Sequence, residues 1–198
     1  MRFRHLTPAD YRVVPWANGR GQTTELLRLE HDSGRLQLRL SVADVVENGP
    51  FSQLPGIDRV LTLIEGEGFD LDFGDAAQPR SARPFEPIGF SGDWQPSATN
   101  LLGPSRDFNV MTSRGDYIVE VSLLPQGPSM WPQMAMPSSG NTPGMSCFYV
   151  ANGSAIVGAL GLYCQVRELL LVEGHDPIDI DAIGSVLAVR LEPRGALT

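Results

Sequence analysis

The chain of 198 residues carries 15 basic against 23 acidic side chains for a net charge of −8, and every basic residue is arginine because lysine is absent. This excludes Schiff-base chemistry, a lysine general base and a P-loop lysine. Arginines scattered among more numerous acids leave no basic stripe for a nucleic-acid backbone, and 21 glycines with 16 prolines suit short strands joined by tight turns.

Met1 to Asp10 holds no apolar run of signal-peptide length. No later segment reaches the roughly 18 apolar residues of a membrane helix, so a cytoplasmic protein without membrane contact is expected. Thr7-Pro8-Ala9-Asp10 combines an N-cap residue, a first-turn proline and a first-turn acid, predicting a short helix to about Arg12 that Pro15 stops. Thr23 to Glu30 and Arg35 to Val46 flank the turn His31-Asp32-Ser33-Gly34 and predict a β-hairpin, with Leu36, Leu38, Leu40 and Val42 alternating against Arg35, Gln37, Arg39 and Ser41. The Gly49 to Arg59 loop, stiffened by Pro50 and Pro55, delivers Arg59 to the mouth of the apolar strand Val60 to Ile64. After Glu65-Gly66-Glu67-Gly68, the run Phe69 to Phe73 predicts a second hairpin, with Phe69, Leu71 and Phe73 on one face and Asp70 and Asp72 on the other.

Further strands are expected at 86–90, 108–111 and 117–124. Pro125 to Gly144, with Met130, Met134 and Met136, reads as a long connection, either an adaptable lid over a ligand or a plastic cover for the core. Strands resume at 147–150, 154–160 (after an Asn152-Gly153 turn), 166–172, 177–180 and 186–192. Their order resembles that of the first half and suggests an internal repeat. The expectation is an all-β barrel or paired barrels, because closure disposes of sheet edges.

The only histidines are His5, His31 and His175, with no HxH pair, and Asp70 and Asp72 read as a solvated strand face, so no metal and no cofactor is expected. Cys147 and Cys164 lack CxxC spacing and read as buried thiols. No nucleophile elbow or phosphate-binding loop occurs. Three polar clusters remain: Trp16 to Glu25, Gly49 to Arg59 and Asp107 to Arg114. Alternation puts Asp107, Asn109 and Met111 on one face and Phe108 and Val110 on the other. An asparagine amide both donates and accepts, and the Arg59 fork suits a small carboxylate, unless Arg59 pairs with Asp58 or another acid at a barrel rim. Ordinary readings stand beside these: Trp16 as a core plug, Asn18-Gly19 as a turn and Glu25 as a strand ion-pair partner.

These clusters, in this order, resemble the HutD/Ves family. The matching residues are the W-x-N-G-x-G-x-T-x-E run from Trp16 to Glu25, the R-x-S-x-A of Arg39, Ser41 and Ala43, the G-P-F-S-x-x-P-G-x-D-R of Gly49 to Arg59, and the D-F-N-V-M of Asp107 to Met111. The match is strong over the first 115 residues and loose beyond. The resemblance implies a bicupin of two β-barrel or jelly-roll halves, 1–115 and 116–198, that share strands, with 125–144 as a long connecting loop. It implies no cupin metal histidines and a non-enzymatic regulator of histidine utilisation that binds an anionic pathway intermediate such as formylglutamate or urocanate. Arg59 would then clamp a carboxylate in the first half, with Asn109, Arg39, Ser41, Trp16, Asn18, Glu25, Phe51 and Met111 around it. The alternative is a metal-independent isomerase or hydrolase acting on a small acid, with Glu25 as general base. A homodimer through sheet edges is compatible with either reading.

Overall fold

Strands form wherever alternating side chains give a face that can be buried. The computed structural model describes residues 2–16, 21–132, 144–174 and 176–194. Among these the chain runs β1 (Arg2–Leu6), β2 (Arg12–Pro15), β3 (Gln22–Glu30), β4 (Leu36–Val45), β5 (Gly49–Pro50), β6 (Ile57–Glu65), β7 (Phe69–Asp72), β8 (Arg80–Ala82) and β9 (Ile88–Ser91). It continues through β10 (Ser97–Thr99), β11 (Ser105–Ser113), β12 (Tyr117–Leu123), β13 (Gly127–Trp131), β14 (Met145–Val157), β15 (Leu162–Gln165), β16 (Leu169–Glu173) and β17 (Ile178–Pro193). The described residues are all-β, with short 3-10 turns and no α-helix. The helix expected at Thr7 to Arg12 is one 3-10 turn, Pro8–Asp10. The Asp10 carboxylate reaches back to accept from the Thr7 amide (2.8 Å) and hydroxyl (2.9 Å), which closes the turn and lets β2 start at Arg12.

Two compact units emerge, 11–114 and 1–10 with 115–198. The first ten residues, expected with the first half, include β1, which runs antiparallel to β16 in the second unit.

The 11–114 unit contains a six-stranded sheet, β2-β3-β4-β11-β6-β9, and a four-stranded sheet, β5-β10-β7-β8. The β3/β4 hairpin forms as its alternation predicts. The second predicted hairpin does not: β6 lies between β11 and β9, whereas β7 lies between β10 and β8 in the other sheet. Gly66 and Gly68 make this corner. Both have positive φ, +100° and +105°, and a Cβ would stand 2.5 Å from Ser105 Oγ at Gly66 and 2.5 Å from the Ala82 carbonyl oxygen at Gly68. Only glycine allows both that backbone and that proximity. The core of the unit joins Val45, Leu61 and Leu63 of the larger sheet to Phe69, Leu71, Ala82 and Ala98 of the smaller, with Phe73 beside them. Each fully buried leucine or phenylalanine here contributes about 1.5–3 kcal/mol.

In the other unit the order is β1-β16-β14-β17-β12, with β13 on β17 and β15 on β14. Part of the expected 125–144 connection is strand, since β13 pairs with β17 over its full length. Met130 is exposed, and Met134 and Met136 lie outside the described residues, as does His175. In place of several short strands, β14 and β17 form one long antiparallel pair. The predicted Asn152-Gly153 turn lies inside β14, just after a bulge where the register shifts between Val150 and Asn152, and Gly153 faces Gly184. A Cβ at Gly153 would lie 1.9 Å from the Ile183 carbonyl oxygen. The paired glycines thus let the two backbones press together and continue, as a bulge does. Cys147 and Cys164 are free and buried. Among the described residues no helix is long and apolar enough to cross a membrane.

Candidate functional site

Register across β4, β11 and β6 assembles the site. Met111 stands between Arg39 and Arg59, Asn109 between Ser41 and Leu61, and Asp107 between Ala43 and Leu63. Directly opposed residues share a face of a sheet. One face therefore passes from the apolar core at Leu61 and Leu63 to a polar end made by Arg39, Ser41, Asn109 and Arg59. A cavity of about 340 Å³ lies over that end, lined also by Trp16, Thr23, Ala43, Met111 and the loop residues Pro50, Phe51, Ser52 and Leu54.

Arg59 belongs to β6 itself, which begins at Ile57, two residues before it. Its side chain is buried, at 4% exposure. Nη2 donates to Asn109 Oδ1 at 3.2 Å and Nη1 to the Ser52 carbonyl at 3.2 Å. The guanidinium carbon lies 4.9 Å from the Phe90 ring centre and 5.9 Å from that of Phe51. Nε finds no acceptor. Asp58, the partner considered from sequence, pairs instead with Arg114 at 3.0 Å, and among the described residues no carboxylate forms an ion pair with Arg59. Burial pulls its pKa down to about 10, opposed by the attraction of Asp107. At neutral pH this is a buried cation held by neutral acceptors and two aromatic faces. Such a charge is stabilised by any anion that reaches it.

Asp107 sits behind the cavity wall, fully buried. Its Oδ1 accepts from Asn109 Nδ2 while Oδ2 has no partner. Burial pushes the carboxyl up to about 7, against the pull of Arg59. By taking the Asn109 amide nitrogen, Asp107 turns the amide oxygen toward Arg59, and so acts as a positioning residue.

Arg39 is neutralised where Arg59 is not: Nε donates to Glu25 Oε2 at 2.7 Å, and Nη1 lies 3.8 Å from Met111 Sδ. This pairing engages Glu25, the base of the enzymatic alternative, outside the cavity lining. Trp16 Nε1 donates to Thr23 Oγ1 at 2.9 Å. The loop above Arg59 is tied down by Phe51 N to the Pro96 carbonyl (2.8 Å), Leu54 N to the Gly92 carbonyl (2.7 Å) and Gly56 N to Asp93 Oδ1 (2.7 Å). Gly92 permits the approach, because a Cβ there would stand 2.5 Å from the Leu54 carbonyl oxygen.

Of the nine residues singled out from sequence, Trp16, Arg39, Ser41, Phe51, Arg59, Asn109 and Met111 line this one cavity. Glu25 supports Arg39 from outside the lining, and Asn18 lies outside the described residues. Sequence reasoning missed the Ser52 carbonyl, Phe90 and the role of Asp107. Alternation already placed Asp107 on the correct face, but nothing in the chain marks Phe90. The cavity lining contains no histidine or cysteine.

A family model described as HutD matches residues 8–182. The chain belongs to the HutD family. With that membership comes its association with histidine utilisation. The chain is 40% identical over 110 residues to an uncharacterized 21.2 kDa protein in the hutC 3' region of Pseudomonas putida, covering 54% of this chain and 56% of that one. It is 37% identical over 109 residues to Protein Ves of Citrobacter koseri, covering 53% and 56%. The match thus spans about half the length of these curated relatives. The solved HutD of Pseudomonas fluorescens SBW25, in a formate condition, superposes with a TM-score of 0.81 at 29% identity, covering 98% of this chain and 100% of that one. A bacterial pirin of Escherichia coli in complex with nickel(II) shares the fold alone, at TM-score 0.63 and 9% identity over 97% and 99% of the chains.

Proposed function

We propose that this HutD-family protein is a metal-independent, small-molecule-binding regulator of histidine utilisation that holds an anionic intermediate, such as formylglutamate or urocanate, against Arg59. The observation that carries this reading is the buried Arg59 guanidinium, which lines a cavity of about 340 Å³ without an ion-pair partner among the described residues. A ligand carboxylate supplies the missing charge. Asn109 and Ser41 meet its remaining polar atoms, and Trp16 and Phe51 wall its body. The absence of lysine from the sequence, and among the described residues the lack of a nucleophile–base pair in the cavity lining and the pairing of Glu25 with Arg39, favour binding over turnover. In the same reading the two compact units are the halves of a bicupin and the protein works in the cytoplasm.

Calorimetry of chelator-treated protein against formylglutamate, urocanate, glutamate and histidine tests this reading. Micromolar binding of one acid without product is the expected result. A charge-assisted contact of this kind is worth about 1.5–3 kcal/mol, so Arg59→Ala weakens binding by roughly ten- to a hundredfold. Arg59→Lys keeps the charge and loses the fork, and falls between. Binding by Arg59→Ala equal to that of the parent removes Arg59 from the site, and steady turnover of any of these acids replaces the regulator with an enzyme.

A further inference from the structure

We propose that His5, Cys164 and Glu168 form a three-donor site for a thiophilic divalent cation of the zinc class, in the unit that does not contain the Arg59 cavity. The donors come from separate places: His5 from β1 opposite Leu170, Cys164 from β15 opposite Ala155, and Glu168 from the turn before β16. Their ligating atoms all lie within 4.8 Å of one another, and His5 Nε2 is 2.7 Å from Glu168 Oε2. Tetrahedral zinc, with N and O at about 2.0–2.2 Å and S at about 2.3 Å, separates its ligands by roughly 3.3–3.7 Å. A cation therefore enters by parting the His5–Glu168 contact by less than about 1 Å and drawing donors that stand up to 4.8 Å apart together by about 1–1.5 Å, both within side-chain rotation.

Two further observations single out this corner. The Cys164 thiol is 1% exposed, borders the core and makes no hydrogen bond with a described residue, so a buried sulfur faces an imidazole and a carboxylate with nothing else to bind. Glu168 is fixed from several sides: its amide donates to Gln165 O at 3.0 Å, its carbonyl accepts from Val150 N at 3.1 Å and its side chain accepts from Gln165 N at 2.9 Å. Its side chain and that of His5 remain 14% and 26% exposed, which leaves a path for the ion and for water as a fourth ligand.

Charge balance favours the same class. On binding, the thiol releases its proton to solvent and the thiolate sulfur bonds the metal. Thiolate and carboxylate then offset the 2+ charge beside a neutral imidazole. Sulfur with nitrogen selects a borderline-soft ion, whereas calcium and magnesium require shells of oxygen. Sequence gave no hint of this cluster, because His5 and Glu168 are 163 positions apart.

The test is a titration of chelator-treated full chain with cobalt(II), followed by zinc(II). The expected result is one equivalent of cobalt giving a sulfur-to-cobalt charge-transfer band with tetrahedral d–d absorption, which zinc erases. Cys164→Ser and His5→Gln both lose the band, while Cys147→Ser, at the other buried thiol, keeps it. His5 is partly exposed, so H5Q reports even where C164S fails to fold; far-UV circular dichroism shows which variants are folded. Absence of a band in the parent overturns the assignment, and so does a band that survives H5Q or disappears in C147S.

Discussion

Burial of Asp107 can be read directly as a stability that falls with rising pH. The carboxyl is fully buried, and its pKa is pushed from an ordinary 3.8 to about 7 because loss of water outweighs the attraction of Arg59. An acid whose folded value is raised binds its proton more tightly folded than unfolded. Its contribution is complete below about pH 4 and is lost as pH climbs through 7. A rise of about 3 units at about 1.4 kcal/mol each sets an upper bound of about 4 kcal/mol on that loss, a large share of the 5–15 kcal/mol typical of a domain. Asp107→Asn removes the titration and keeps the Oδ1 acceptor for Asn109. It also places an amide nitrogen where Oδ2 has no partner, at a cost of about 1–3 kcal/mol. The variant is therefore less stable than the parent at pH 4.5 and draws level with or overtakes it by pH 8. Urea unfolding of both proteins at half-unit intervals between these limits measures the difference, from which the titrations they share cancel. A difference that is flat, or that grows in favour of the parent as pH rises, shows that Arg59 outweighs burial and refutes the reasoning.

Gly66→Ala, which forces a Cβ onto Ser105 Oγ at positive φ, destabilises by roughly 2–3 kcal/mol, whereas Gly34→Ala, at φ +79° with open space around it, costs only about 1 kcal/mol; urea midpoints separate the two. Asp93→Ala removes the acceptor of the Gly56 amide and the partner of Arg114 at 2.6 Å, so ligand affinity falls through the loosened Ser52 carbonyl although residue 93 does not line the cavity; calorimetry alongside circular dichroism of the folded variant measures it. Glu25→Gln frees the Arg39 guanidinium beside the cavity and tightens binding of a dicarboxylate more than of a monocarboxylate, as competition between the two shows.

The parts of the fold legible in sequence are those set by near neighbours. Leu36, Leu38, Leu40 and Val42 alternate strictly next to a His31 to Gly34 turn, and the β3/β4 hairpin follows. Phe69, Leu71 and Phe73 alternate as well, and they are buried. The partner of their strand was not legible. Gly66 and Gly68 read alike in a hairpin and at a corner between sheets, and the difference lies in Ser105 and Ala82, which pack against them from distant strands. Asn152-Gly153 misleads for the same reason, since it is the facing Gly184, distant in sequence, that lets the strand run straight on through it. At the site, residue types were legible through the motif resemblance, whereas charge balance was not. That Arg39 is neutralised and Arg59 is not depends on cross-strand register, which sets Glu25 opposite Ser41 and Arg59 opposite Met111 and Phe90.

The Gly66–Gly68 corner carries the chain from one sheet to the other, and the cavity takes its walls from both. Its floor, with Arg39, Ser41, Asn109 and Arg59, belongs to the six-stranded sheet, while the loop that roofs it leaves from β5, which is bonded into the four-stranded sheet through β10. Phe51 reinforces that allegiance by stacking on Phe69 at 6.1 Å. The cavity therefore draws on both sheets of the 11–114 unit, its floor on the six-stranded sheet and the origin of its roof on the four-stranded one.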